Sequence, residues 1–374
     1  MLPKHPRYQA ALRPECCDQL RKLSGRQGRP QLVLRGALAS AAWLGLAVGM
    51  ALGIAAGSVR AEALPSIQAV RCAGNPLVTP ELGPGIGVNI NGPSVIRTPE
   101  WLPGRLGRYY LYFASHRGRS IRLAYADNPC GPWTLHAPGT LRLSQAKGFR
   151  DHIASPDVHV DEERREIRLY VHGRLARRGG EQRTGLAVSS DGLHFRMQEP
   201  DLGSPYFRVF SWGQRWWALA KEVGGGGRLY RAEGPSGPFR PVGTLLPEMR
   251  HAAVLPWRDG VLIVYSRIGD APERLLASWL NLTQLEAQTS GPGNRAAEVR
   301  SPMPVQPGEP VTVLEPESVA EGADLPLRPS RSGATRRARQ LRDPALLVDG
   351  DRLFLFYALA GESGIGGAEL TLGP

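Results

Sequence analysis

The stretch RDHIASPDVHVD, residues 150–161, carries Arg150, Asp151, His152, Asp157, His159 and Asp161 within twelve positions. Carboxylates and imidazoles so close together can exchange protons, bind sugar hydroxyls or hold a cation. Polar and apolar residues alternate, as on a half-buried strand. That reading puts Ser155, Asp157 and His159 on one face and Pro156, Val158 and Val160 on the other. The same pattern also suits a polar strand whose Asp157 and His159 merely hydrogen-bond neighbouring turns.

The elements that would position these groups recur along the chain. RLAYADNPCGPW (122–133) returns as RLYRAEGPSGPF (228–239), and TGLAVSSDGLHF (184–195) is a looser copy between them. Ahead of these motifs run GRYYLYFA (107–114), REIRLYVH (165–172), GQRWWALA (213–220), DGVLIVYS (259–266) and DRLFLFYA (351–358). All five are rich in aromatic or β-branched residues and read as strands. Each is preceded by a short apolar strand: GPSVI (92–96), SPDVH (155–159), SPYFR (204–208), HAAVL (251–255) and DPALL (343–347). Four of these contain a proline, which is tolerated where a strand begins and a ladder donor can be spared.

A repeat near fifty residues predicts an all-β, five-bladed β-propeller, in which blades packed around an axis bury faces that none could bury alone. A β-sandwich of the same length leaves the echo unexplained. The propeller spans residues 64–374, with an insertion at about 282–340, and residues 67–79 are expected to close the ring onto the last blade. The leading residues of the inner strands then converge at one channel mouth, the default place for a ligand. They are Asn91 with Gly92, Ser155 with Asp157, Tyr206 with Arg208, Arg250 with His251, and Arg342 with Asp343. Arg150, Asp151, His152 and His159 join them from the opening stretch.

The Pro-led inner strands and the GPW and GPF motifs resemble the five-bladed propeller glycosidases. These are the arabinanase and xylosidase group, glycoside hydrolase family 43, and the invertase and levansucrase relatives. The resemblance covers about residues 75–374. It implies three carboxylates: a base before the proline of the first blade, a modulator after the proline of the second, and an acid two residues before the proline of the third. Asp157 matches the second. The first position is Gly92 and the third is Gly203. Hydrolysis needs one group to protonate the leaving oxygen and another to activate water. Asp343, in an Arg-Asp-Pro triplet like that of invertase-like enzymes, is the candidate replacement, with His251 as its partner. Glu317, Glu321 or Asp324 of the insertion, folded over the channel, are the alternative. Asp157, Asp343 and His251 are thus the expected catalytic set. Asn91, Arg150, Asp151, His152, His159, Tyr206, Arg208, Arg250, Arg342 and Glu321 are the expected substrate-binding residues. The expected partner is an oligo- or polysaccharide. A non-catalytic sugar binder and a structural or protein-binding propeller, its channel plugged by Tyr206, Arg208 and Arg342, stand as alternatives. Trp216 or Trp217 could offer a sugar-stacking ring.

No cofactor is expected; the one weighed was a channel cation on His152 and His159. No Cys/His spacing fits a structural metal. The net charge of +12 invites a nucleic-acid reading. Residues 1–35, however, hold eight Lys or Arg against Glu15 and Asp18, which accounts for half of it. The remaining cations are scattered among acids, and RPSRSGATRRARQLR (328–342) has no interleaved aromatics, so no nucleic-acid partner is expected. Residues 36–59 carry no charge, long enough for a signal peptide or a membrane anchor. Residues 1–63 therefore read as a basic cytoplasmic region plus an export segment. That segment tethers the chain to the membrane if uncleaved, and the propeller lies outside the cytoplasm. Cys72 and Cys130 would travel together into an oxidising compartment where they can pair.

Overall fold

The computed structural model describes residues 64, 66–177, 179–222, 224–289, 303–333 and 336–373. The basic region, the apolar segment 36–59 and the stretch 290–302 lie outside the described residues. Strand β1 (Ile67–Arg71) comes first and is used last. Blade one is β2 (Asn91–Arg97), β3 (Tyr109–Ala114), β4 (Ser120–Ala126) and β5 (Thr134–Arg142). Blade two is β6 (Phe149–Asp161), β7 (Glu166–Leu175), β8 (Gln182–Ser189) and β9 (Arg196–Gly203). Blade three is β10 (Arg208–Trp212), β11 (Arg215–Lys221), β12 (Gly227–Ala232) and β13 (Arg240–Leu245). Blade four begins with β14 (Met249–Trp257), β15 (Gly260–Arg267) and β16 (Leu275–Asn281). A short helix, α1 (Leu282–Thr289), leaves it. Strand β17 (Met303–Pro304) then pairs with the outer edge of blade three, and β18 (Val311–Leu314) returns as the outermost strand of blade four. Residues 282–340 therefore complete one blade and extend another, besides supplying a loop. Blade five is β19 (Arg342–Asp349), β20 (Arg352–Leu359) and β21 (Gly364–Leu372), completed by β1.

Ring closure is the antiparallel pairing of β1 with β21, from Ile67 opposite Leu372 to Arg71 opposite Ala368. Pairing the first strand with the last shuts the wheel by hydrogen bonds that no local hairpin supplies. The Cys72–Cys130 disulfide sits at the same joint, linking the residue after β1 to the β4–β5 turn of blade one. A bridge closing a loop of this length stabilises by about 4 kcal/mol in the chain-entropy view.

No core occupies the centre. The apolar residues form five clusters, each between two neighbouring blades. Tyr112, Leu169 and Phe149 lie between blades one and two. Leu186, Phe207 and Trp216 lie between two and three. Blades three and four share Trp217 and Ile263, four and five share Leu262 and Leu355, and five and one share Phe356 and Leu111. Both tryptophans of the GQRWW run are buried, so neither offers a ring to a sugar. The repeated outer motif folds alike in its two close copies. Gly131 and Gly237 take the left-handed backbone, at φ 84° and 82°, and turn Trp133 and Phe239 into the seams. Only glycine adopts that backbone without a Cβ clash.

Candidate functional site

The inner strands share an irregularity at their entry. Register shifts fall between Asn91 and Ser94, Ala154 and Asp157, Met249 and His251, and Arg342 and Ala345. Bulges of this kind re-aim a side chain. At or beside them the backbone is left-handed: Gly92 at φ 59°, Ser155 at 46° and Asp343 at 47°, with Tyr206 at 65° where blade three enters the hub. Non-glycine residues in this region cost of order 1–3 kcal/mol each and cluster at functional sites.

These turned residues form a ring. A Cβ placed on Gly92 would lie 3.1 Å from Ser155 Cα, so the two backbones nearly touch. His172 of blade two packs on Tyr206 with ring centroids 3.9 Å apart, and Tyr206 packs on His251 at 4.5 Å. His251 Nδ1 meets the Asp343 carboxylate. Asp343 Oδ2 in turn accepts the Gly92 N–H at 3.3 Å, which returns the circuit to blade one. Above this floor opens a cavity of 420 Å³.

The cavity wall has a second source. In each blade the turn between the second and third strands rises on the same side as the start of the first. Blade one contributes His116 and Arg117 from such a turn, blade two His172, Arg174 and Gln182, and blade five Glu362. Sequence reasoning followed only the inner strands and missed all six. The signal was present in SHRGRS, HGRL and GESG, the polar runs that follow each second strand.

Of the residues expected from the sequence, Asn91, Asp151, His152, Tyr206, His251 and Asp343 line the cavity together. Asp157 does not. Two residues past each left-handed position the side chain drops below the floor and ties blade to blade. Ser94 Oγ accepts the Val158 N–H, Asp157 Oδ2 accepts the Val209 N–H at 2.8 Å, and the Arg208 guanidinium donates to Ala252 O and Pro156 O. His159 pairs with Asp157 at 2.8 Å, beneath the floor and away from His152, so those two histidines share no cation site. Among the described residues no group of three or more His, Cys, Asp or Glu is placed to hold a metal ion.

Arg250 and Arg342 are buried at the entries of β14 and β19 and do not line the cavity. Arg250 donates to Glu273 and to Ser330, while Arg342 bonds Glu362 and Ser330 and lies 3.2 Å from Glu273. They secure the loop near residue 330. Tyr206 lines the cavity, and the Arg208 side chain ties blades two and four together beneath it. Glu321 is also turned away: Arg71 and Tyr357 hold its carboxylate on blade five. Arg150 is exposed at the mouth beside Arg174.

Electrostatics divide the groups sharply. Burial, then Lys221, Arg250, Arg208 and Arg342, push the His251 imidazole well below its ordinary pKa. That favours the neutral imidazole, with Nδ1 against the Asp343 carboxylate. His172 is likewise held well below its ordinary value by burial and by His152 and Lys221. Burial lowers Lys221 to about 8 and raises Tyr206 to about 12. Burial pushes the Asp157 carboxyl up, but His159, Arg208 and the Val209 N–H outweigh it and hold it below its ordinary value. Three carboxylates face the cavity. Glu362 is saturated by Arg342, Asn89 and Asn91. Asp343 is held by His251 and Gly92. Asp151, at the rim, makes no hydrogen bond or ion pair with described residues.

The family positions that are glycine here are closed as well as empty. A Cβ on Gly203 would lie 2.6 Å from the Phe207 ring.

No protein-family model matches the chain. It is 33% identical to uncharacterized protein R118 of Acanthamoeba polyphaga mimivirus over 317 residues, covering 76% of this chain and 84% of that one. Among solved structures, a glycosyl hydrolase from Bacteroides ovatus matches with a TM-score of 0.55 at 9% identity, covering 82% of this chain and 94% of that one. A structure from the GH130 family of mannoside phosphorylases, which contains glycoside hydrolases that target β-1,2-mannosidic linkages in Candida mannan, matches at 0.52 and 10% identity, covering 82% and 94%. The GH43_1 enzyme from Xanthomonas citri complexed with xylotriose matches at 0.50 and 13% identity, covering 79% and 90%. At these identities the likeness is one of fold, a five-bladed propeller.

Proposed function

We propose, from the premise that the chain belongs to the family of the mimiviral protein R118, that it binds a carbohydrate in the hub cavity and cleaves a glycosidic bond there. The observation that carries this reading is the placement of Asp343. It stands over Gly92, hydrogen-bonded to that residue's own N–H, and so brings a carboxylate from blade five to the spot that blade one leaves bare. His251, beside Asp343 in the cavity floor, is the candidate general base. Asp151, at the rim, is the second carboxylate that faces the cavity, the pair that hydrolysis requires. Glu362, held by Arg342, Asn89 and Asn91, adds negative charge to the wall. The floor of imidazole and phenol rings offers an apolar surface to a sugar face.

A second reading, a sugar-binding propeller without hydrolysis, is favoured by one observation: the Phe207 ring fills the space an acid at position 203 would need. One experiment separates the two. The full-length protein is incubated with a panel of neutral and acidic oligosaccharides and aryl glycosides, beside Asp343→Asn, His251→Gln and Asp151→Asn. Release of sugar that falls at least 100-fold in Asp343→Asn supports the hydrolase. Sugar binding with no release by any form supports the binder, and turnover unchanged by all three substitutions removes the proposed site.

Export belongs to the same proposal. The Cys72–Cys130 disulfide supports an oxidising compartment. Segment 36–59 supplies the signal or the membrane tether.

A further inference from the structure

The cavity is electrically lopsided. Its blade-five wall holds Asp343 and Glu362, each already bonded to protein donors. Its rim on blades one and two carries Arg117, Arg150 and Arg174, all exposed. Arg117 and Arg174 line the cavity. The register of blade two sets Arg150 opposite Arg174 and Arg174 opposite Gln182, so the three side chains share one face across adjacent strands. The two guanidiniums converge. A Cβ on Gly180 would lie 2.8 Å from Arg150 Nη2 and 3.4 Å from Arg174 Nη1. Like charges placed directly across a strand pair repel. Some arginines elsewhere are ion-paired, Arg168 with Asp161, Arg183 with Asp201, Arg250 with Glu273 and Arg352 with Glu369, and others, such as Arg119, Arg142 and Arg196, have no ion pair among the described residues. Arg117, Arg150 and Arg174 form no ion pair or side-chain hydrogen bond with described residues. The acids that accompany them in the chain are Asp151 and Glu181, so guanidiniums outnumber carboxylates at the rim three to two. The nearby imidazoles of His152 and His172 are buried, and His172 Nδ1 has no partner.

We infer that this rim holds an oxyanion on the sugar, so that the substrate is an acidic glycan bearing a carboxylate or a phosphate. Guanidinium forks suit both groups, and an anion between them relieves the repulsion of Arg150 and Arg174. The opposed charge of the two walls then orients the ligand, with its acidic substituent toward blades one and two and its scissile bond toward Asp343. This inference rests on the carbohydrate reading and narrows it to a substrate class.

The test is calorimetric titration of the full-length protein with trigalacturonic acid, xylotriose, glucose 6-phosphate and inorganic phosphate at low and at physiological salt. The variants are Arg174→Gln, Arg117→Gln and Arg174→Lys, with melting curves to verify folding. The expected result is binding of an acidic sugar at least 10-fold tighter than xylotriose. Salt should weaken it, Arg174→Gln should reduce it to the neutral level, and Arg174→Lys should restore part of it. Preference for trigalacturonic acid identifies a uronate, and preference for glucose 6-phosphate over both identifies a phosphorylated sugar. Equal binding of acidic and neutral sugars overturns the inference and leaves the carbohydrate reading standing. Binding of inorganic phosphate with no sugar bound, or of nothing at all, overturns both.

Discussion

Asp157 and Asp343 both neighbour a proline on an inner strand, yet one lies under the floor and the other in the cavity. The difference is two positions relative to the proline. Asp343 precedes its proline and occupies the left-handed position that points to the axis; Asp157 follows its proline and points at the next blade. The two substitutions should therefore part company. Asp343→Asn should abolish sugar release while leaving the melting temperature within a few degrees of the parent. Asp157→Ala strands the buried Val209 N–H and removes the partner of His159, at a cost of about 2–3 kcal/mol. Its activity per folded molecule should persist, and chemical denaturation beside an activity assay checks both. Acidity acts on the same layer. The pKa of His172 is lower in the fold than in the open chain. Its contribution is thus fully present above the unfolded value near 6.5 and is lost as pH falls toward the folded value. Stability should drop between pH 7 and 5 by up to about 1.4 kcal/mol per pH unit for each such histidine. His172→Gln should flatten the slope in pH-dependent melting curves.

At the scale of the strand, the site depends on how closely β6 and β7 approach. Gly173 lies between His172 and Arg174, and a Cβ there would meet His152 O at 2.5 Å. Gly173→Ala must push the two strands apart, costing about 1–3 kcal/mol. It would displace His152, His172 and Arg174 together, so ligand affinity should fall more than stability when both are measured. The bulges explain why strand alternation misplaced part of the site. Ser155 and Asp157 share a face on a regular strand. An inserted residue with left-handed backbone separates them, sending one up and the other sideways. Nothing in the polarity of SPDVH marks that extra residue.

Over the whole molecule, the joint between first and last blades is where the wheel can open. Strand β1 and the Cys72–Cys130 bridge both act there. Reduction, or Cys72→Ser with Cys130→Ser, should remove about 4 kcal/mol. Thermal unfolding should show a melting point lower by roughly 8–15 °C, by the usual scaling for domains of about 200 residues. Limited proteolysis of the reduced protein should cut first near β1, since that strand has one hydrogen-bonded neighbour.

The linear pattern determined the wheel. Five aromatic second strands and an echo at 106 residues required like units, and like units with two apolar faces pack around an axis because no other arrangement buries them all. It also placed Asp343 beside blade one, since a closed ring makes the last blade a neighbour of the first. Which side chains reach the cavity was decided only in three dimensions. Bulges rotate residues by a step that alternation does not record, and segments about 17 to 27 residues downstream of each inner-strand entry fold back over the same mouth. His116, Arg174 and Glu362 therefore meet Asp343 through hydrogen-bonded ladders and packed seams, contacts that carry no trace in local sequence.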